Sequence, residues 1–289
     1  HATAVTMSRR GDRRAAPALA RRLGTETDTR VLPALLLGVG DLGDERYVPH
    51  VLPFAETHAV PAVRGAGVTA LGALGGPEAR RIALRTVEKP GRADPEWSLR
   101  VAGILALARC GEAEDVGRIL VVTREGGGDE HWLVRTAVAR LVAAKDPDPA
   151  PLLRRMTGDS DRRVAATAAE GLATSGHVDE LLRLLGHVVP SVRAAAVCGI
   201  ARAKVERAYP RLRALVQLDR SREVRWAIAR ALFDLEDPLG DELMLQGLGS
   251  SVPTVWAEAV AALSGRTGEE HGRDVDAWRA ALTRWRARQ

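Results

Sequence analysis

The sequence predicts an all-α chain in which about eight helix pairs stack into an α-solenoid with a C-terminal capping helix. Three observations predict it. Alanine and leucine dominate an apolar set of 46% against only 3% aromatic residues, a bias toward helix. A short pattern, an apolar residue followed by arginine and then small or apolar residues, returns every 28 to 36 residues. Within each copy the apolar positions follow the helical period and not the alternation of a strand.

The full copies are AVRGAGVTALGALG (62–75), SLRVAGILALARCG (98–111), LVRTAVARLVAAKD (133–146), SVRAAAVCGIARAK (191–204) and EVRWAIARALFDLE (223–236). Anchored on the apolar residue before the arginine, they start at Val63, Leu99, Val134, Val192 and Val224. Val164 and Val255 anchor two degenerate copies in which Ala165 and Trp256 replace the arginine, and Thr29-Arg30 sets an eighth in register at the front.

Taken in order, residues 1–27 read as a partial first unit with a companion-type helix from Arg13 to Leu23. Residues 28–266 read as the solenoid. In each anchor helix, offsets 0, 3, 4, 7 and 8 are small or apolar, as in Val224, Ala227, Ile228, Ala231 and Leu232, and form one stripe. Pro61, Pro190 and Pro253 stand two residues before their anchors, where a helix tolerates proline in its first turn. A companion helix follows a short polar corner, as in Val178 to Leu185 or Ala208 to Leu218. Residues 267–289 read as the cap: Val275, Trp278, Leu282 and Trp285 make an amphipathic stripe behind the N-cap Asp274.

One stretch invites another reading. Gly38-Val39-Gly40-Asp41-Leu42-Gly43 spells the G-x-G-x-x-G of a dinucleotide-binding turn, which requires a strand before it and a helix after it. Here the preceding run continues the helical register of the other units. Leu37 to Asp41 then aligns with Leu71 to Gly75, and the glycines are expected at a corner where left-handed φ ends a helix.

The pattern D-x-x-V-R-x-A-A-x-x-A-L resembles the HEAT repeat, specifically the bacterial HEAT-like subclass also found in phycobilisome lyases. The resemblance runs from about residue 28 to 264. It implies a right-handed solenoid with the Val-Arg helix inside and its companion outside. It also implies that Arg64, Arg100, Arg135, Arg193 and Arg225 form a structural ladder, each bonded to an aspartate or a carbonyl of a neighbouring repeat. Asp94, Asp129, Asp161 and Asp219 precede the anchors and are the expected partners.

Catalytic constellations are missing from the sequence, so no enzyme, cofactor or metal site is expected. The seven histidines show no H-E-x-x-H spacing, and no P-loop, G-x-S-x-G or C-x-x-C occurs. The chain departs from deoxyhypusine hydroxylase, a HEAT-like metal enzyme with His-Glu pairs: here Glu130-His131 and Glu270-His271 run in the reverse order. Cys110 and Cys198 are too few and too distant for a disulfide framework. No apolar run reaches the length of a membrane span and no signal-peptide core opens the chain, which suits a cytoplasmic location. The start at His1 is that of a trimmed product or a fragment.

The net charge of +5 is carried by arginine, with Lys89, Lys145 and Lys204 the only lysines, and 37 acidic residues are interleaved. Most of this charge reads as solvated surface. The informative surface is the open side of the anchor helices, at offsets −2, 2, 6 and 9. There Trp97 and Trp132 stand at −2, Trp226 at 2 and Phe233 at 9, so four of the chain's ten aromatics converge on a face otherwise expected to be polar. Val101, Leu105, Ala194 and Cys198 lie around them, with Arg140, Arg162, Arg222 and Arg230 as the charged members. The leading expectation is a non-catalytic interaction module that binds a protein or peptide in this concave groove. A nucleic-acid binder resembling the HEAT-like DNA glycosylases and a lyase-like or chaperone subunit are the alternatives.

Overall fold

Proline and short polar side chains decide where the helices begin. The computed structural model describes residues 15–88, 97–123 and 131–288, and among these all regular structure is helical. After α1 (Ala16–Leu23), the anchor helices are α2 (Leu32–Asp41), α4 (Pro61–Leu74), α6 (Trp97–Cys110), α8 (Trp132–Lys145), α10 (Arg162–Thr174), α12 (Pro190–Arg202), α14 (Arg222–Asp234) and α16 (Pro253–Thr267). Their companions are α3 (Val48–Thr57), α5 (Pro77–Glu88), α7 (Ala113–Val122), α9 (Ala150–Met156), α11 (Val178–Leu184), α13 (Tyr209–Leu218), α15 (Pro238–Leu248) and α17 (Val275–Arg286). Pro61, Pro190 and Pro253 open α4, α12 and α16, while Ser221, Asp237 and Asp274 cap α14, α15 and α17 through their side-chain oxygens. The order is that of an α-solenoid: anchor, companion, anchor, companion.

The chain divides into two compact units, 1–171 and 172–289, with the division inside α10. In the first, α2, α4, α6 and α8 pack in sequence, and α3, α5 and α7 form a second row against them. The anchor stripes are buried: Val63, Ala66, Gly67, Ala70 and Leu71 in α4, and Val134, Ala137, Val138, Leu141 and Val142 in α8. Val68, Ile104 and Ala139, at offset 5, are buried too. The buried arc is wider than a single stripe because α6 touches α4, α8 and α5 together. Each fully buried leucine or valine contributes about 1.5–3 kcal/mol.

In the second unit α12 packs on α14, and α15 bridges α14 and α16. Trp278 and Leu282 of α17 are buried in one cluster with Phe233, Met244, Leu245, Leu248 and Leu263. The Trp278 indole donates to the Gly272 carbonyl at 3.0 Å, so the ring enters the core with its polar atom satisfied. Because α17 packs on both α15 and α16, it stands where the eighth companion belongs; it is not a helix added after eight complete pairs.

The front of the array corrects the expected register. Arg30 is exposed and pairs with Asp28, and α2 begins only at Leu32. Gly38 and Gly40 lie inside α2, not at a corner. A Cβ on Gly40 would come within 2.7 Å of the Ala70 Cα, and one on Gly72 within 2.5 Å of the Ala106 Cα. These two glycines let neighbouring anchor helices approach closely. Their equivalence moves the first anchor from Thr29 to Val31. The left-handed corner is Gly43 (φ 62°), matching Gly75 (φ 85°).

Filling the α4–α6 contact tests this packing. Gly72→Val is expected to destabilise the first unit by about 1–3 kcal/mol through overpacking, measured as a lowered urea midpoint by circular dichroism.

Candidate functional site

The loops before several anchor helices present carbonyls that need donors, and the arginine after the anchor supplies them. Arg64 donates to the carbonyls of His58 and Ala59, and Arg193 to those of His187 and Val188. Arg225 donates to the Asp219 carbonyl. Two of these arginines also reach the following unit. Arg135 grips the Asp159 carboxylate with Nε and Nη2 at 2.8 and 2.9 Å, and Arg193 grips Asp219 at 2.7 and 2.8 Å. Both acids lie five residues before the next anchor. Asp161, the expected partner, is instead bound by Arg163 two residues on. Asp94 and Asp129, expected near Arg64 and Arg100, lie outside the described residues.

At the last unit the device changes hands. Trp256 occupies the arginine position, and Arg273, from the segment before α17, donates to the carbonyls of Leu248 and Ser250. Its guanidinium lies 5.4 Å from the Trp256 ring centroid. A side chain from the C-terminal segment thus binds the loop carbonyls that the missing arginine would otherwise serve.

Trp97 and Trp132 are the first residues of α6 and α8. His131, the N-cap of α8, accepts from the Leu133 amide through Nδ1 at 3.3 Å. This bond holds the imidazole flat against Trp97, with ring centroids 3.9 Å apart and planes 5° from parallel. His131 also stacks toward Trp132 at 6.2 Å, and the Arg163 guanidinium covers the Trp132 ring at 3.4 Å. Arg163 is itself oriented by Asp161, whose carboxyl is lowered to about 2 by hydrogen bonds from the Arg163 side chain and backbone. Four planar groups therefore run along the N-terminal edge of α6, α8 and α10. Trp97 remains 41% exposed at the end of that run. Sequence reasoning missed His131 and Arg163; their signal was position, at the N-cap of α8 and directly before the Val164 anchor.

The free side of α6 continues through half-buried Val101 and Leu105 to exposed Arg109, and that of α8 continues to exposed Arg140. In the second unit the sequence-predicted residues take other roles. The Trp226 indole donates to Glu258 at 2.6 Å, and its ring edge lies against Gly247 beside the C-terminal cluster. Phe233 is a correction: it is 2% exposed and belongs to the core. The start of α15 presses on it at Gly240, and Arg266 covers its ring at 3.4 Å, so offset 9 of α14 faces protein. Arg230 pairs with Asp234 one turn away. Arg162, Arg222 and Cys198 are exposed, and Ala194 is half-buried.

A cleft of about 650 Å³ between α5 and α7 is lined by Arg80, Arg81, Arg85 and Arg118 together with Glu88, Glu112 and Glu114. Its charges answer one another: Arg80 binds buried Asp115 at 2.8 Å, and Arg118 binds Glu88. Among the described residues no group of three or more His, Cys, Asp or Glu is arranged to hold a metal ion, and no helix is long and apolar enough to cross a membrane.

Against this geometry the comparisons with known proteins can be set. Residues 178–264 match the HEAT repeats family. The match covers α11 to most of α16, and it agrees with the helix-pair order observed on both sides of the division. A solved structure, YibA of Escherichia coli, is 16% identical with a TM-score of 0.48 over 86% of this chain and 96% of that one. No curated protein matches the sequence. HEAT repeats generally mediate protein–protein interaction and scaffolding, and they are typically non-catalytic.

The Arg193–Asp219 pair gives a pH-dependent test. Hydrogen bonds from Arg193 hold the Asp219 carboxyl below its ordinary value, so its contribution is present above the unfolded pKa of about 4 and is lost as pH falls through the lower folded value. Arg193→Ala is expected to reduce stability by about 3 kcal/mol at pH 7, because Asp219 is left buried without its partner. Urea unfolding near pH 3 should show a narrower difference, which persists in part because the loop carbonyls still lose their donor.

Proposed function

We propose that the protein is a non-catalytic interaction module that docks a partner protein on the anchor-helix face of its first unit, at Trp97, Trp132 and Arg140. The observation that carries this reading is the stack Trp97–His131–Trp132–Arg163, ordered within one unit and ending in an indole that is 41% exposed. A rigid aromatic held in place before binding loses little conformational freedom when a partner covers it, which is why Trp and Arg recur as interface anchors. The repeat class supports a binding role in general terms. Trp226, Arg230 and Phe233 are left out of this face, since each is engaged by Glu258, Asp234 or the core of the second unit.

Immobilised protein should retain a partner from a lysate of the cells that make it. Trp97→Ala with Trp132→Ala should reduce retention by at least about tenfold while the far-ultraviolet circular dichroism stays unchanged. Retention equal to that of the unaltered protein would overturn the placement of the face. Trp226→Ala is the contrasting variant: it should lower the melting temperature of the second unit and leave retention intact below that temperature.

A further inference from the structure

The charge of the same face specifies what kind of partner fits it, an inference that rests on the docking reading above. Helices α4, α6 and α8 carry six cations, Arg64, Arg100, Arg109, Arg135, Arg140 and Lys145, and not one carboxylate. Of their companions, α5 and α7 carry both signs, paired across the cleft, while α9 carries Arg154 and Arg155. Three successive anchor helices bearing one sign of charge depart from the interleaved pattern of an ordinary solvated surface.

The six cations are not equivalent. Arg64 and Arg135 are occupied by loop carbonyls and by Asp159, and the Lys145 ammonium donates to the Arg109 carbonyl at 3.1 Å. Arg109 and Arg140 are exposed, and among the described residues neither guanidinium meets a carboxylate. Both stand on the free side of their helices, about three turns beyond Trp97 and about two beyond Trp132. Apolar Val101 and Leu105 lie between Trp97 and Arg109 on α6. A cation bordering apolar surface acts in a lower effective dielectric, which strengthens its attraction for an anion.

We propose that this face binds an extended acidic segment of a partner protein that also carries aromatic side chains. Trp97, Val101 and Leu105 receive the aromatic groups, and Arg109 and Arg140 receive the carboxylates. The small number of free cations favours a peptide over a nucleic acid. Neighbouring packed helices lie about 8–10 Å apart, so the two free guanidiniums suit widely spaced carboxylates. A nucleic-acid strand carries a charge on every nucleotide, and most of its phosphates would meet no cation here.

The test uses the full chain and three fluorescein-labelled probes in anisotropy titrations: a peptide of alternating Glu and Phe, its Lys and Phe counterpart, and a thymidine oligonucleotide of equal length. The Glu-Phe peptide should bind most tightly, and rising salt should weaken it. Arg109→Glu with Arg140→Glu, and separately Trp97→Ala, should each weaken it by about tenfold or more. All three side chains are exposed, so unchanged circular dichroism is expected and is the control for folding. Equal binding of the Lys-Phe peptide, tighter binding of the oligonucleotide, or indifference to the charge reversal would each overturn the proposal. If the cellular partner is retained through Trp97 and Trp132 while the Glu-Phe peptide is ignored, the acidic chemistry is refuted and the docking face stands. If neither is held, the face itself is refuted.

Discussion

The arginine that follows five of the anchor residues is the contact on which the rest of the array depends. A helix pair turned back on itself leaves loop carbonyls near the core, where water cannot serve all of them. One guanidinium presents five donors in a fixed plane, enough to bind the carbonyls of its own loop and the aspartate of the next. Arg193 does both, through His187, Val188 and Asp219. Satisfying the loop and joining successive units are thus performed by one side chain, and in both observed joins, Arg135–Asp159 and Arg193–Asp219, the aspartate stands five residues before the next anchor. At the last unit Trp256 replaces the arginine and Arg273 reaches back to the loop.

Close backbone approach is the second constraint. Gly40 against Ala70 and Gly72 against Ala106 bring three anchor helices together with only a methyl group between them. Further along, a Cβ on Gly171 would come within 3.0 Å of the Ala143 Cβ, so α10 also lies close against α8, and Trp97, His131, Trp132 and Arg163 stack as one run at the N-termini of α6, α8 and α10. The proposed docking face is therefore a consequence of how the helices pack, and its aromatic edge is ordered before any partner arrives. Its charge is local to three anchor helices: α4, α6 and α8 carry arginine and lysine and no acid, whereas α2 ends at Asp41 and α10 carries Glu170.

The repeat was legible because helical periodicity and the Val-Arg register depend only on neighbours along the chain. The anchors at Val63, Leu99, Val134, Val164, Val192 and Val224 are all buried. The candidate site was legible in part. Trp97 and Trp132 stand out by type and offset, yet nothing local distinguished them from Phe233, which occupies a comparable offset and is enclosed by α15 and Arg266. The front register slipped by two residues because Thr29-Arg30 imitates the motif locally, whereas the true register is decided by which glycine meets Ala70.

The sequence by itself determined the helix-pair repeat, the eight anchors to within that slip, and the aromatic and basic character of the anchor helices, since each rests on residue type and short-range spacing. Only the tertiary structure decided that α17 serves as the eighth companion and that Asp159, not Asp161, meets Arg135. It alone decided that Trp226 is engaged by Glu258 while Trp97 keeps an open face. These outcomes hang on which side chain of a neighbouring unit arrives at a given ring or guanidinium, and periodicity along one helix carries no information about its neighbour's rotation.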